Sequence, residues 1–534
     1  MNNYKSDRHN FSLTTPLYYA NGVPHIGSAY TTMVADVLAR FQRLQGNSVL
    51  LITGTDEHGQ KIQRAATEQG LDPQVHCDRI VDSFKSLWDK LDIKYDRFSR
   101  TTAEPHRAIV NEFFQRVWDK GDIYLDRQQG WYCVSCEEFK EERELTEDGC
   151  CGIHTNKKAE WRDEENYFFR LSKYQSQLEE LYRSQPDFIQ PESRRNEVLN
   201  FVGQGLKDFS ISRVNLDWGF PIPGDDKHTI YVWFDALLGY VTALLEPGQE
   251  PTLDNALSKW WPMDLHLIGK DILRFHGIYW PAMLASAGLP LPKKVFSHGF
   301  LTKDGLKMGK TLGNTIDPFE LVDRYGSDAV RYYFLKEIEL GKDGDFNETR
   351  FVNVLNADLA NDLGNLLNRN LGMLKKYCQG NGPQLTAANF SSDHPIKQIG
   401  EDLGVRVIQL YDALQFNKAC EEILTLVRAC NKYIDDSAPW SLFKQGKQPE
   451  VEQILYVVLE SVRLSAYLLS PIIPNISSNI YQQLGFSINF NDETQSETSR
   501  DIFSIHSQWG KLTANSSLGK ASPVFSKLEL PSEN

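Results

Sequence analysis

The sequence predicts an α/β protein: a doubly wound parallel sheet, split by a cysteine-rich insertion and followed by an all-α helix bundle. Three observations carry this. A strand–helix–strand pattern opens the chain. Four of its eight cysteines crowd between Cys133 and Cys151. From about Asp345 onward the apolar residues recur at three-to-four spacing.

Each element follows from local pattern. Phe11–Thr15 is a β-prone run ahead of Pro16. Ala29–Gln45 has helical spacing, with Met33, Val37, Phe41 and Leu44 on one face and Gly46 as its stop. Ser48–Thr53 (SVLLIT) reads as a strand buried on both faces. Two parallel strands joined by a helix form a βαβ unit. The pattern lapses near Trp131, where residues 131–165 are charged and cysteine-rich. It resumes at Tyr231 (YVWFDALLGY), Leu265–Ile268 and Val295–His298. The expected organisation is therefore 1–114 and 226–325 as two halves of one domain, 115–225 as an insertion, 326–350 as a linking segment and 351–534 as the bundle with its tail. Phe351–Cys378, Leu403–Asp436 and Val451–Ser470 are the expected helices, punctuated by Pro439, Pro471 and Pro474. Trp509, Phe525 and Leu528 in the tail suit packing back onto them.

Composition narrows the class. Lys plus Arg is 57 and Asp plus Glu is 71, giving −14 at pH 7 in a chain of 534 residues. With 41% hydrophobic residues and a mean hydropathy of −0.43, a disordered or collagen-like chain is excluded. No apolar run approaches the ~20 residues of a membrane helix, and Met1–Asn10 lacks the apolar core of a secretory leader. The clustered cysteines point to a metal site in a reducing, cytoplasmic setting. The acidic balance excludes a general polyanion binder, but not a protein that reads nucleic acid through a local surface.

Several short motifs carry chemistry. His25-Ile26-Gly27-Ser28 sits directly before the first helix, where free N–H groups attract anions. His25 is placed to donate to a phosphate, and Gly27 to let one approach; a capped loop histidine fits the same four residues. Lys307-Met308-Gly309-Lys310-Thr311, between Gly305 and Gly313, suits a mobile clamp on a polyphosphate, or else a solvated basic turn. It is not a P-loop, because its glycines stand one residue too close. Cys133 and Cys136, followed by Cys151 and His154, have the spacing of a closed, structural zinc site, with Cys150 as a substitute for Cys151. Residues 137–165 hold eleven acidic against five basic side chains, so this region is no phosphate grip. Trp233, Tyr240, Phe275, His276 and Trp280 are core or pocket aromatics, and a thioether packs well on such rings. Asn365 and Arg369 share a helix face, and Trp440 follows the helix-breaking Pro439, a set suited to unstacked bases.

Together these segments resemble the methionyl-tRNA synthetases, a family of class I aminoacyl-tRNA synthetases. The match runs over nearly the whole chain: TTPLYYANGVPHIGSAYTT (Thr14–Thr32), TGTDEHGQKI (Thr53–Ile62), IGKDILRFHGIYWPAML (Ile268–Leu284) and DGLKMGKTLGN (Asp304–Asn314), then ANDLGNLLNR and NKYIDDSAPW in the bundle. The resemblance implies a Rossmann-like sheet, a zinc-binding connective insertion, a stem-contact segment at 326–350 and an anticodon-binding bundle. It implies that methionine and ATP give methionyl-adenylate, whose acyl group passes to tRNA(Met), with Mg²⁺ accompanying ATP and Zn²⁺ structural. His25, Gly27 and Ser28 then belong to the HIGH motif, and Lys307 and Lys310 to the KMSKS motif. Asp56 holds the substrate ammonium. Leu17, Tyr19, Trp233, Tyr240, Asp271, Phe275, His276 and Trp280 form the methionine site. Asn365, Arg369 and Trp440 contact the anticodon.

This sequence departs from the family pattern at Ser28, which replaces the second histidine, and at Gly309 and Thr311, which replace serines. It has a single pair of zinc knuckles, where some members of the family have two. It also ends soon after the bundle, without the appended tRNA-binding and dimerisation domain of some members, and a monomer is expected on that ground. Two other readings compete: a class I synthetase for another aliphatic amino acid, and a tRNA-independent nucleotidyltransferase of the same fold. The first needs an editing domain, since one methylene discriminates by only ~1–3 kcal/mol, and the insertion is short for that. The second has no use for the bundle.

Overall fold

A computed structural model describes residues 9–134, 138–152, 157–214, 216–308, 313–491 and 499–530. Its centre is a six-stranded parallel sheet of β1 (Asn10–Tyr19), β2 (Ser48–Asp56), β3 (Arg97–Arg100), β4 (Ile189–Gln190), β5 (Leu265–Gly269) and β6 (Val295–His298). The spatial order is β3-β2-β1-β5-β6-β4. Chain order thus runs outward from the β1–β5 pair through β2 and β3 on one side and through β6 on the other, with β4 from the insertion added at that far edge. In such sheets the crevice for a ligand opens at the carboxyl ends of the strands on either side of that reversal.

β1 extends further than the apolar run predicts, straight through Pro16. Its register against β2 shifts between Thr14 and Leu17, so one extra residue is absorbed there as a bulge. A proline cannot donate to a central ladder, and the bulge is where it fits. The shift changes which side chains face which way. Tyr18 turns to the first helix, where its hydroxyl bonds Ser28 O at 3.2 Å and Thr32 Oγ1 at 2.8 Å. Leu17 and Tyr19 turn to the other face.

Helices cover both faces of the sheet. Ile26–Leu44 and Pro73–Lys90 bury Met33, Val37, Phe41, Phe84 and Trp88 on one side. Glu104–Asp119 and Trp280–Ser286 bury Phe113, Val117 and Trp280 on the other. The segment 115–225 is dominated by a long antiparallel hairpin, Ile123–Cys133 against Glu160–Phe169, in register from Ile123↔Phe169 to Tyr132↔Glu160. Its charged, alternating sequence suits a sheet with one wet face. The same segment also supplies β4 to the edge of the central sheet.

The C-terminal part is helical. Glu348–Leu355, a π-helical stretch Asn356–Gly364, and Asn365–Tyr377 follow one another where a single helix is expected. The expected helix Leu403–Asp436 is two, Pro395–Asp412 and Phe416–Ser437. The break falls at Leu414, with φ 58°, and no glycine or proline announces it. Leu414 is buried, so tertiary packing fixes the turn that local propensity does not. The tail returns over the bundle. Trp509 is buried, and Phe525 and Leu528 pack at the core margin. A buried ion pair holds it there. Arg463, 2.7 Å from Glu460, donates to His506 O and Gln508 O, and Glu460 accepts from the N–H groups of Gly510, Lys511 and Leu512.

Bundle and sheet meet at the fully buried Arg331. It pairs with Asp36 of the first helix at 2.6 Å and donates to Pro471 O and Ile472 O. Among the described residues no helix is long and apolar enough to cross a membrane.

Candidate active site

The first helix begins at Ile26, and His25 is its N-cap. His25 Nδ1 accepts from Gly27 N at 3.0 Å and Ser28 N at 3.3 Å. A nitrogen that accepts carries no proton, so the neutral ring bears its N–H on Nε2, on the side away from the helix. Gly27 is required by this contact: a Cβ there would lie 2.9 Å from the His25 ring. The role expected of Gly27, close approach by a ligand, is thus joined by a local one. Ser28 accepts from His25 N at 3.1 Å and donates to His25 O at 2.8 Å, and it is buried. The structure thus places the Ser28 hydroxyl in a capping box, whereas His25 stays exposed at the carboxyl edge of the sheet.

Next to it lie the ends of β1 and β2. Tyr19 and Asp56 are register partners on the final rung, and Asp56 is buried. The Tyr19 ring carries the Lys61 ammonium 4.3 Å from its centroid and meets the Trp233 ring edge-on at 6.0 Å. Trp233 stacks on Phe275 at 3.8 Å and 9°. Leu17 approaches Gly239 so closely that a Cβ there would lie 2.4 Å from Leu17 Cδ1. Tyr240 donates to His276 Nε2 at 2.9 Å, while His276 Nδ1 donates to Ile272 O at 3.1 Å. Burial pushes the His276 pKa down to about 4, so the ring is neutral and fully engaged. The structure therefore joins Leu17, Tyr19, Asp56, Trp233, Tyr240, Phe275 and His276 around one recess. Asp271 is exposed just beyond the end of β5. Trp280 lies deeper, fully buried against Phe113 and Trp261, with no ring contact to that recess.

Lys307 lies on an exposed hairpin, Leu301–Lys303 with Leu306–Lys307, turned at Asp304 and Gly305. Lys310, with Gly309 and Thr311, lies outside the described residues. The hairpin follows β6, whose last residue, His298, lies 2.7 Å from the Thr31 hydroxyl of the first helix. Lysine hairpin and histidine cap thus leave the same edge of the same sheet.

In the bundle, Arg369 reaches Asp435 at 2.7 Å, Asn365 is exposed, and the Trp440 indole is 39% exposed after the left-handed turn at Ala438. The Arg369–Asp435 contact brings one end of Asn365–Tyr377 beside the turn that carries Trp440. Of the four zinc-spaced residues, Cys133 and Cys151 are buried, as is Cys150. Cys136 and His154 lie outside the described residues, and among the described residues no three metal-binding side chains converge.

Sequence reasoning missed a buried array behind the recess. His58 Nδ1 lies 2.6 Å from Asp235 Oδ2, and His106 Nε2 lies 2.8 Å from Asp235 Oδ1. The only signal was the charged run Asp56-Glu57-His58 ending an apolar strand.

A parallel sheet with a capped helix and an aromatic recess at its reversal point, fused to a helical bundle, is the architecture of a class I tRNA synthetase. The family model described as "tRNA synthetases class I (M)" matches residues 11–158 and 144–371, and "Anticodon binding domain of methionyl tRNA ligase" matches 393–506. The chain belongs to the methionine–tRNA ligase family. It is 70% identical to methionine–tRNA ligase of Synechocystis sp., over 98% of both chains, and 52% identical to the chloroplastic/mitochondrial enzyme of Arabidopsis thaliana, over 98% of this chain and 84% of that one. The structure of Mycobacterium tuberculosis methionyl-tRNA synthetase in complex with methionyl-adenylate superposes with a TM-score of 0.89 at 39% identity, covering 97% of this chain and 99% of that one.

Proposed function

We propose that this chain activates methionine with ATP and transfers the methionyl group to tRNA(Met), acting as a cytoplasmic monomer. The observation that carries the reading is the Tyr19–Asp56 rung set against the Trp233–Phe275 stack: a buried carboxylate beside an aromatic wall. That pairing suits a free amino acid with an unbranched thioether. Asp56 takes the ammonium. Leu17, Tyr19, Trp233 and Phe275 take the side chain, where sulfur gains ~0.3–1.5 kcal/mol per aromatic contact. Tyr240 and His276 spend their hydrogen bonds on each other and on the backbone. A hydroxylated competitor therefore finds no ready partner there.

In the first step the methionine carboxylate forms a bond to the α-phosphorus of ATP, and the bond to pyrophosphate breaks. In the second, a hydroxyl of the tRNA terminal ribose attacks the acyl carbon and AMP leaves. His25 Nε2–H and the ammonium groups of Lys307 and Lys310 stabilise the charge that builds up as pyrophosphate departs, and this accelerates reaction only if it is stronger in the transition state. Mg²⁺ arrives with the nucleotide. Gly27 lies at the histidine cap beneath the phosphates. Ser28 serves them indirectly, by fixing that cap. Asn365, Arg369 and Trp440 read the anticodon, Asp271 stands at the lip of the methionine site, and Trp280 supports that site from the core behind it.

Zinc on Cys133, Cys136, Cys151 and His154 is the further part of this reading. Cys133 pairs in register with Glu138, so the two strand ends that flank the Cys-x2-Cys spacing are held side by side. Bound there, the ion supplies folding energy to the insertion and takes no part in the chemistry.

The decisive test is exchange of pyrophosphate into ATP. Methionine should support it and leucine and cysteine should not; the opposite outcome overturns the assignment.

A further inference from the structure

Three wall residues of the recess share a pattern. Asp56 is followed two residues later by His58, Trp233 by Asp235, and Tyr240 by Thr242. His58, Asp235 and Thr242 all belong to one buried hydrogen-bonded chain, closed by His106. His58 Nδ1 lies 2.6 Å from Asp235, His106 Nε2 lies 2.8 Å from the other carboxylate oxygen, and His106 Nδ1 lies 2.7 Å from Thr242 Oγ1. All four side chains are buried.

On a helix, residues two apart point to nearly opposite sides. Val232–Ala236 and Gly239–Thr242 therefore hold the array on their backs while their fronts carry Trp233 and Tyr240. The third wall, Asp56, ends β2. Its loop is fixed next door, where Glu57 is gripped by Arg100 at 2.8 and 2.9 Å, and His58 lies between the Phe220 ring at 4.6 Å and the Trp218 ring at 5.7 Å. The Asp235 carboxylate stays ionised: burial alone would raise its pKa, but the two imidazoles outweigh that and bring it to about 2. A single carboxylate of the second half thus receives hydrogen bonds from two histidines of the first half, one on each of its oxygens.

We propose that His58, Asp235, His106 and Thr242 are positioning residues that fix the distance between the ammonium-binding carboxylate, Asp56, and the side-chain walls, Trp233 and Tyr240. The inference rests on the methionine reading of those three walls. A free amino acid is a short ligand, so the spacing between its charged and apolar contacts decides whether both are made together.

The test is a double-mutant cycle in the full chain, read by pyrophosphate exchange. Asp235→Asn keeps the shape and removes the charge-assisted bonds. It should raise the methionine KM about tenfold and leave the ATP KM within twofold. In an Asp56→Asn background the same change should raise the methionine KM less than twofold, because there is no carboxylate left to misplace. Equal effects in both backgrounds, or a parallel rise in ATP KM, would overturn the proposal. No effect of Asp56→Asn alone would instead overturn the methionine reading itself. Thr242→Val removes the last bond of the array together with the hydroxyl's bond to Leu238 O one turn back, and leaves the Asp235 bonds in place. If Asp235→Asn does not fold, the Thr242→Val cycle decides: a methionine-specific rise of about threefold that vanishes with Asp56→Asn supports the inference, and a rise that persists defeats it.

Discussion

The Thr31 hydroxyl donates to His298 Nε2 across 2.7 Å, joining residues 267 positions apart. The direction is set because His298 Nδ1 already donates to Gly299 O at 2.7 Å. This bond fastens the helix headed by His25 to the strand that runs on toward Lys307. Thr31→Val keeps the shape and orphans a buried acceptor, at a cost of ~1–3 kcal/mol. The expected result is adenylate formation slowed about tenfold with methionine affinity intact. Unchanged rates by single-turnover measurement would deny the coupling.

His25 does two jobs that separate by substitution. Asn is also a good N-cap, so His25→Asn should leave the melting temperature nearly unchanged while slowing adenylate formation about a hundredfold. His25→Ala should lose the cap as well, at ~1 kcal/mol. Thermal melts of both variants check this, and equal destabilisation would argue against the cap.

Acid should act through the buried histidines. Burial pushes the His298 pKa down to about 4, against 6.5 for the exposed ring. The unfolded chain therefore binds the extra proton over this interval. The stabilisation is whole above pH 6.5 and is lost as pH falls toward 4, by about 3 kcal/mol for one such ring. His298→Gln should flatten that part of the denaturation-versus-pH curve, and a curve as steep as before contradicts the shift.

Trp440→Ala should cut tRNA charging at least tenfold and leave pyrophosphate exchange alone, since the indole is exposed on the bundle and makes no part of the recess. Equal loss in both assays would make Trp440 a folding residue.

Removing one thiol tests the metal. Cys133→Ala should abolish stoichiometric zinc after dialysis and lower the stability of the insertion, with Cys150→Ala leaving zinc in place if Cys151 is the ligand. Metal content unchanged by Cys133→Ala removes the site.

Much of the fold was legible because its signals are local. The βαβ opening, the strands Ser48–Asp56 and Val295–His298, and the helix after His25 all show in apolar spacing. The passage of β1 through Pro16 and the break at Leu414 were not, because a bulge and a buried turn are settled by neighbours distant in sequence. The recess was half legible. Its wall residues stand in recognisable segments, but their back-face partners did not announce themselves, since His58 and Asp235 are 177 residues apart and either alone reads as an ordinary polar side chain.

Sequence by itself determined which chemical groups this protein owns and the order in which they arrive: a capped histidine, a carboxylate, an aromatic set and a pair of lysines. Only the tertiary structure decided which of them share a space, what holds them apart, and that Ser28 serves the cap. The physical reason is that spacing along a chain limits contact only within a turn or a rung, whereas contact between distant segments depends on sheet order, register and burial.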